Sequence, residues 1–265
     1  SGVTFSVSVN GGYTKNKVVF WDENPGVLAH QRATGHPFGT NGYAYLAFQY
    51  DGVFRDEKDI AANTIDYSAA EANLRPGDMK FKDVSGPDGK PDGKITDLDA
   101  VRLDRTRDPL FTGGINISLG YKNFDLSVLF QGAAGGLQLL NFSETGEFGN
   151  WLQYSYNNRW SVENPSSVHP RLVSRENRYY TSTFRNNTYW LRKNDYIRFK
   201  NFEFGYTLAP NVGQRIGISR LRVYVSGLNL LTWDELGIWD PEAQAENGYA
   251  YPNSRIINTG VRVTF

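Results

Sequence analysis

The residues between positions 83 and 99, DVSGPDGKPDGKITDLD, spell out ligand chemistry more clearly than any other stretch of this chain. A calcium loop needs closely spaced oxygen ligands, a glycine for the sharp turn, a backbone carbonyl followed by an apolar side chain, and a closing carboxylate. Read from Asp88, a twelve-residue template places Asp92, Gly93, the Lys94 carbonyl, Ile95 and Asp99 correctly, but puts Lys90 where an oxygen belongs. Read from Asp83 and Ser85, with residues 86–91 inserted before Asp92, the oxygens improve, and this register is preferred. The expected ligands are therefore Asp83, Ser85, Asp92, the Lys94 carbonyl and Asp99, with Asp88 and Asp97 as further candidates and calcium as the metal. Such a site binds weakly, suits the outside of a cell and braces a loop; a Gly/Asp turn without metal is the competing reading.

Bond-making chemistry has no comparable signal, and the chain is read as not an enzyme. Glu144 and Glu147 sit in a polar stretch, where paired acids are usually solvated faces rather than a glycosidase pair. His30, His36 and His169 are isolated, and the last two directly precede proline in turn-like sequence. There is no cysteine, which excludes disulfides, zinc thiolates and thiol nucleophiles. The 28 basic and 28 acidic side chains cancel, so no net charge draws the chain to nucleic acid.

The elements that would position such residues are strands. At the C-terminus Ile257, Thr259, Val261, Val263 and Phe265 fall on one face, and Asn258, Gly260, Arg262 and Thr264 on the other. Val3, Phe5, Val7 and Val9 repeat that period at the N-terminus. Ile115 to Tyr121 and Phe124 to Gln131 form a hairpin around Lys122-Asn123, and residues 196–208 and 220–230 supply two more strands. One apolar file beside one polar file is what a wall between lipid and water requires, and mean hydropathy cannot exclude it because only alternate residues meet lipid. No apolar run is long enough for a transmembrane helix. The predicted fold is all-β: an antiparallel transmembrane barrel segment of about six wall strands. It needs further strands of the same barrel to close, and its opening residues read as a cut within a larger protein.

Three long polar regions separate these strands, at about 11–110, 134–195 and 231–255. Residues 43–54 within the first could make short strands, and residues 57–73 short helical turns. The connections alternate long and short, which sorts every long loop to one side, as outer-membrane barrels do.

Several segments resemble the C-terminal third of SusC-like (RagA-like) TonB-dependent outer-membrane transporters. They are Lys15-Asn16-Lys17-Val18, Pro76-Gly77-Asp78 leading to Lys82-Asp83-Val84, Asp92-Gly93-Lys94-Ile95, and Phe124-Asp125-Leu126-Ser127 with Phe130-Gln131-Gly132. Further on come Asn158-Arg159-Trp160, Glu163-Asn164-Pro165, Leu191-Arg192, Lys200-Asn201, Gly205-Tyr206-Thr207-Leu208, residues 221–227, Asn229-Leu230-Leu231-Thr232, Tyr251-Pro252 and the terminal Phe265. The resemblance implies a nutrient importer in the outer membrane of a Gram-negative bacterium, taking up glycans or oligopeptides. It further implies a barrel of about 22 strands with a plugged lumen, a SusD-like lipoprotein lid, and coupling to TonB through parts outside this chain. The calcium loop with its insertion departs from the uninterrupted loop usual in that family.

The aromatics divide in two. Phe124, Tyr206, Tyr224 and Phe265 near strand ends read as a belt at the membrane interface. Trp151, Tyr154, Tyr156, Trp160, Trp190, Trp233 and Trp239 lie in the polar regions, where rings either touch substrate or lid, or pack loop on loop. Two other functions compete: a secreted calcium-braced carbohydrate-binding or adhesion module, and a dockerin-like scaffold segment around Asp92 to Leu103, which lacks a second copy.

Overall fold

The computed structural model describes residues 2–140, 153–165, 168–173, 183–209, 217–243 and 250–265. Six long strands form one antiparallel sheet: β1 (Val3–Tyr13), β2 (Phe111–Tyr121), β3 (Phe124–Ala134), β4 (Tyr196–Thr207), β5 (Arg220–Asp234) and β6 (Ile256–Thr264). They lie side by side in chain order, so the sheet is a meander in which, among the described residues, β1 and β6 each have one neighbour. No helix among the described residues is long and apolar enough to cross a membrane.

Register turns the sequence alternation into two continuous faces. Phe5 lies opposite Leu119 and Leu119 opposite Leu126; Leu126 meets Phe204, Phe204 meets Val225, and Val225 meets Thr259. One step along each strand, Ser6, Ser118, Ser127, Glu203, Ser226 and Asn258 form the corresponding polar row. The apolar face is open, with Phe5 67% exposed and Val261, in the neighbouring row, 62% exposed.

Strand β4 keeps this division only because it is bulged. Ile197 and Phe199 share the apolar face with Phe202, Phe204 and Tyr206, although the two sets differ in parity; the register shifts between Phe199 and Asn201, leaving Lys200 as an extra residue against β3. Strand β5 answers by setting Asn229 and Leu230 opposite Lys200, one residue more than β4, and Asn229 takes a positive φ of 51° there.

The strands run past the limits that alternation alone predicts. β1 ends at Tyr13, β2 begins at Phe111, and β5 continues to Asp234. Gly11, Gly12, Gly113 and Gly114 have no side chain with which to show a face, so the period fades while the ladder continues. Trp233 is thereby corrected from the third polar region into β5, on the apolar face opposite Ile197.

The connections 14–110, 135–195 and 235–255 all leave the same end of the sheet, whereas the Lys122-Asn123 turn and the 208–219 connection close the other. The long connections contain the packed core of the chain. Phe48, Phe54, Met79, Phe81 and Ile95 from the first meet Leu140, Phe184 and Trp190 from the second and Leu236 from the third. Phe48 stands 4.6 Å from Phe184 and 5.4 Å from Phe81, ring centre to ring centre. Its amide donates to Asn186 O at 2.8 Å and its carbonyl accepts from the Thr188 amide, stitching two connections together. Short ladders at Tyr50–Val53 with Met79–Phe81 and at Leu137–Leu139 with Leu191–Lys193, and a helix at Glu57–Ala61 capped by Asp56, satisfy much of the remaining backbone.

Candidate functional site

The predicted calcium ligands do not assemble as one set. Residues 86–90 fold into their own turn, with Gly86 N donating to Lys90 O and Gly89 N to Gly86 O, which carries Asp88 into solvent. Across that turn Asp83 meets Asp92. Asp83 accepts from Gly93 N at 2.7 Å and from Asp92 N at 3.3 Å, while Asp92 accepts from Lys94 N. Asp99 is fully buried and accepts from Val84 N, Ser85 N and Thr96 N, closing a capping box with Thr96. Burial pushes its carboxyl above the ordinary aspartate range, against those hydrogen bonds and with a smaller upward push from the charge of Asp83. The Ser85 hydroxyl turns to Gly86 O, and Asp97 contributes its carbonyl to Gln31. Among the described residues no three acidic or histidine side chains converge on one point.

The aromatic candidates scatter. Trp190 is buried in the core and Trp239 packs against it. Trp160 presses on Gly77, whose φ of 89° places it in a turn beside Arg171. Tyr154 takes part in a tight group: the Arg192 guanidinium lies 5.8 Å from its ring and 5.1 Å from that of Tyr189, and His169 Nδ1 is 3.0 Å from Tyr189 Oη. Tyr156 stays exposed under the Arg159 guanidinium. Trp151, Glu144 and Glu147 lie outside the described residues. Of the belt, Phe124 stacks on Phe204 and meets Tyr206 at a tilt on the apolar face. Tyr224 does not belong to it: it pairs with Gly205 and Gly260 on the polar face, and its ring covers Gly260, where any Cβ would collide with it.

Sequence reading missed the charges that line the polar face. Arg222 reaches over Gly205, whose missing Cβ leaves the space, to bond Asp125 two strands away, and it also donates to Glu203 at 2.7 Å. Nearer the connections Arg198, 2% exposed, bonds Asp240, while Lys200 Nζ lies 2.8 Å from Glu242. Asp240 also accepts from Asn253 N, and Glu242 from the Tyr196 hydroxyl. Two acids of the third connection are therefore folded down onto the sheet, and side-chain exposure of only 7% at Asp240 makes that anchor a desolvated one. Their pairing is nonlocal, so spacing along the chain carries no trace of it. Val19, Phe20 and Trp21, exposed just beyond β1, also escaped notice because no period marks them.

A sheet with one open apolar face, one charged and polar face, and a folded mass at one end is the geometry of a barrel wall. No protein-family profile matches the chain. Two curated proteins of Formosa agariphila do. TonB-dependent receptor P3 is 30% identical over 99% of this chain, and TonB-dependent receptor P26 is 33% identical over 83% of it. The chain belongs with the TonB-dependent receptors. This receptor chain spans 27% of the first relative and 22% of the second. Among solved structures it is similar to the RagAB peptide transporter, with a TM-score of 0.67 at 22% identity, covering 99% of this chain and 27% of that one. The RagAB peptide importer in its closed-closed state gives 0.65 at 21%. At such identity the likeness speaks for the fold, and it is the fold that the six-stranded receptor wall shares.

Proposed function

We propose that this receptor chain is the C-terminal wall and outer-loop body of an outer-membrane importer energised through TonB, which takes up oligopeptides or glycans beneath a SusD-like lipoprotein lid. One observation carries the reading: the apolar face that holds Phe5, Leu126, Phe204, Val225 and Val261 is left open to its surroundings, while the packed core of the described residues lies in the connections. In a soluble module that face would be the first surface buried; in a bilayer it meets acyl chains, and the opposite face lines the water-filled lumen. The unpaired edges of β1 and β6 call for the other strands of the barrel, because lipid tolerates no open ladder. The RagAB neighbours are described as peptide transporters, which favours peptide over glycan cargo. The test is uptake by cells carrying the full-length receptor, using labelled oligopeptide and oligosaccharide mixtures with TonB present and absent. TonB-dependent accumulation of either cargo supports the proposal, and accumulation of neither removes it.

A calcium brace is a second reading, favoured by the buried Asp99 carboxylate with Asp83 and Asp92 close to the same turn. A dication there would offset the desolvation that holds the Asp99 carboxyl up. Calorimetric titration of the full receptor with calcium should show binding that Asp83→Asn weakens. Absence of calcium heat would leave a loop held by backbone donors alone.

A further inference from the structure

Resting on the import reading, we infer that a groove on the lumen side of the wall seats an extended cargo by its carboxylate, with Arg107 as the pairing cation. The groove joins two cavities. The lower, about 470 Å³, has Gly12 and Gly114 in its floor and Asn10 on its flank. The upper, about 380 Å³, lies under the connections and is lined by Arg107, Asn194, Lys200 and Glu242. Thr112, Gln131, Ala133 and Tyr196 border both, so the two are continuous.

Charge selects the ligand. The charged side chains of the groove are Arg107, Lys200 and Glu242, and the last two already pair at 2.8 Å. Among the described residues Arg107 has no ion pair, and its Nε is buried without an acceptor. A partly desolvated guanidinium without a counterion is a standing demand for a planar anion, which a carboxylate meets with paired hydrogen bonds. A single cation matches a carboxylate monoanion, whereas a phosphate dianion would leave one charge uncompensated. The floor selects the shape: without side chains at Gly12 and Gly114, a ligand main chain can lie at backbone height on the wall, within reach of the Asn10 and Gln131 amides. A peptide acid and a uronate sugar both offer this carboxylate.

Binding to the purified full-length receptor tests the inference by calorimetry with three probes: an acidic hexapeptide, the same peptide with every carboxylate amidated, and trigalacturonate. The wild-type receptor should bind at least one of the two acids, and bind the amidated peptide more weakly. Arg107→Gln should weaken the acid by about tenfold, the scale of one charge-assisted hydrogen bond, and leave the amidated peptide within twofold. Arg107→Lys should recover part of the loss. Whichever acid depends on Arg107 identifies the source of the carboxylate. Equal binding of acid and amide, equal losses of both in Arg107→Gln, or no binding of either acid would overturn the subsite. Uptake in cells is read separately: import with an acid-blind receptor sinks the groove alone, and Arg107-dependent binding without import sinks the transport reading alone.

Discussion

The wall and the loop body use the same kinds of side chain to opposite ends. Phe5, Leu119, Phe204 and Val261 stand outward on the sheet, while Phe48, Phe54, Phe81 and Phe184 are closed into a core of their own. Hydrophobic burial holds the second region together, whereas the first is held by ladder hydrogen bonds and has its apolar surface covered only by its surroundings. The difference teaches that a barrel piece can have its centre of packing outside the barrel, in connections whose polar composition hides it.

The largest effect that would test this division is in the loop body. Phe48→Ala removes a ring packed between Phe81 and Phe184 and should destabilise the body by about 3–5 kcal/mol. Limited proteolysis of the full-length receptor should then cut within residues 14–110 and 183–195, with the wall still inserted and heat-modifiable on gels. Loss of the wall as well would show that the two regions fold as one unit.

Next comes the wall itself, where neighbouring positions should differ. Val128 lies on the apolar face and Ser127 on the polar one, one residue apart in the middle of β3. Val128→Arg should cost about 2–4 kcal/mol of membrane assembly near mid-depth, and Ser127→Arg much less. The measurement is the folded fraction recovered in outer-membrane preparations, and equal losses would mean that lipid does not face Val128.

How far each region could be read in advance follows from the same contrast. Strict alternation, as in Ile257 to Phe265, exposes a two-faced strand because every side chain reports its side, and all six strands were legible that way. Their ends are not, because Gly11, Gly113 and Gly114 report nothing, and the irregularity at Asn229 and Leu230 hides that Trp233 still belongs to β5. Tyr224 read as a belt residue from its closeness to a strand end, yet its parity with Arg222 and Ser226 already assigned it to the polar face. The loop body was least legible: Phe48 and Phe184 touch across more than a hundred residues, and Arg198 finds Asp240 through a fold-back that no local pattern encodes. Gly86 and Gly89 foretold a turn, and the turn is what parts Asp88 from Asp83 and Asp92.

A third experiment probes the seam between the regions. Asp240→Asn leaves the buried Arg198 guanidinium with Glu242, 3.7 Å from its Nε, as its carboxylate partner among the described residues, and should loosen the third connection by about 1–3 kcal/mol. Hydrogen exchange should rise at residues 236–243 and 250–253 while β4 and β5 keep their protection; faster exchange in those strands would show that the anchor also holds the wall.

The smallest expected effect is a pH dependence confined to the loop body. His169 is held below the usual imidazole range, mainly by burial and further by the Arg192 charge, and its Nδ1 meets the Tyr189 hydroxyl. Nearby, Asp59 is held down to about 2 chiefly by Lys80, and Asp78 is pushed up by burial despite Arg171. On acidification the unfolded chain takes up the imidazole proton first, near pH 6.5, so the contribution of His169 is complete above that value and is lost as pH falls toward its folded pKa. One proton limits the slope to about 1.4 kcal/mol per pH unit. Proteolytic resistance of the loop body in the inserted receptor should therefore decline below pH 6.5, and His169→Gln should flatten the decline. The wall contains no histidine, so its heat-modifiability should not change over that interval. A wall that loosened together with the body would mean that the two regions open as one, and the independence drawn from their packing would fall.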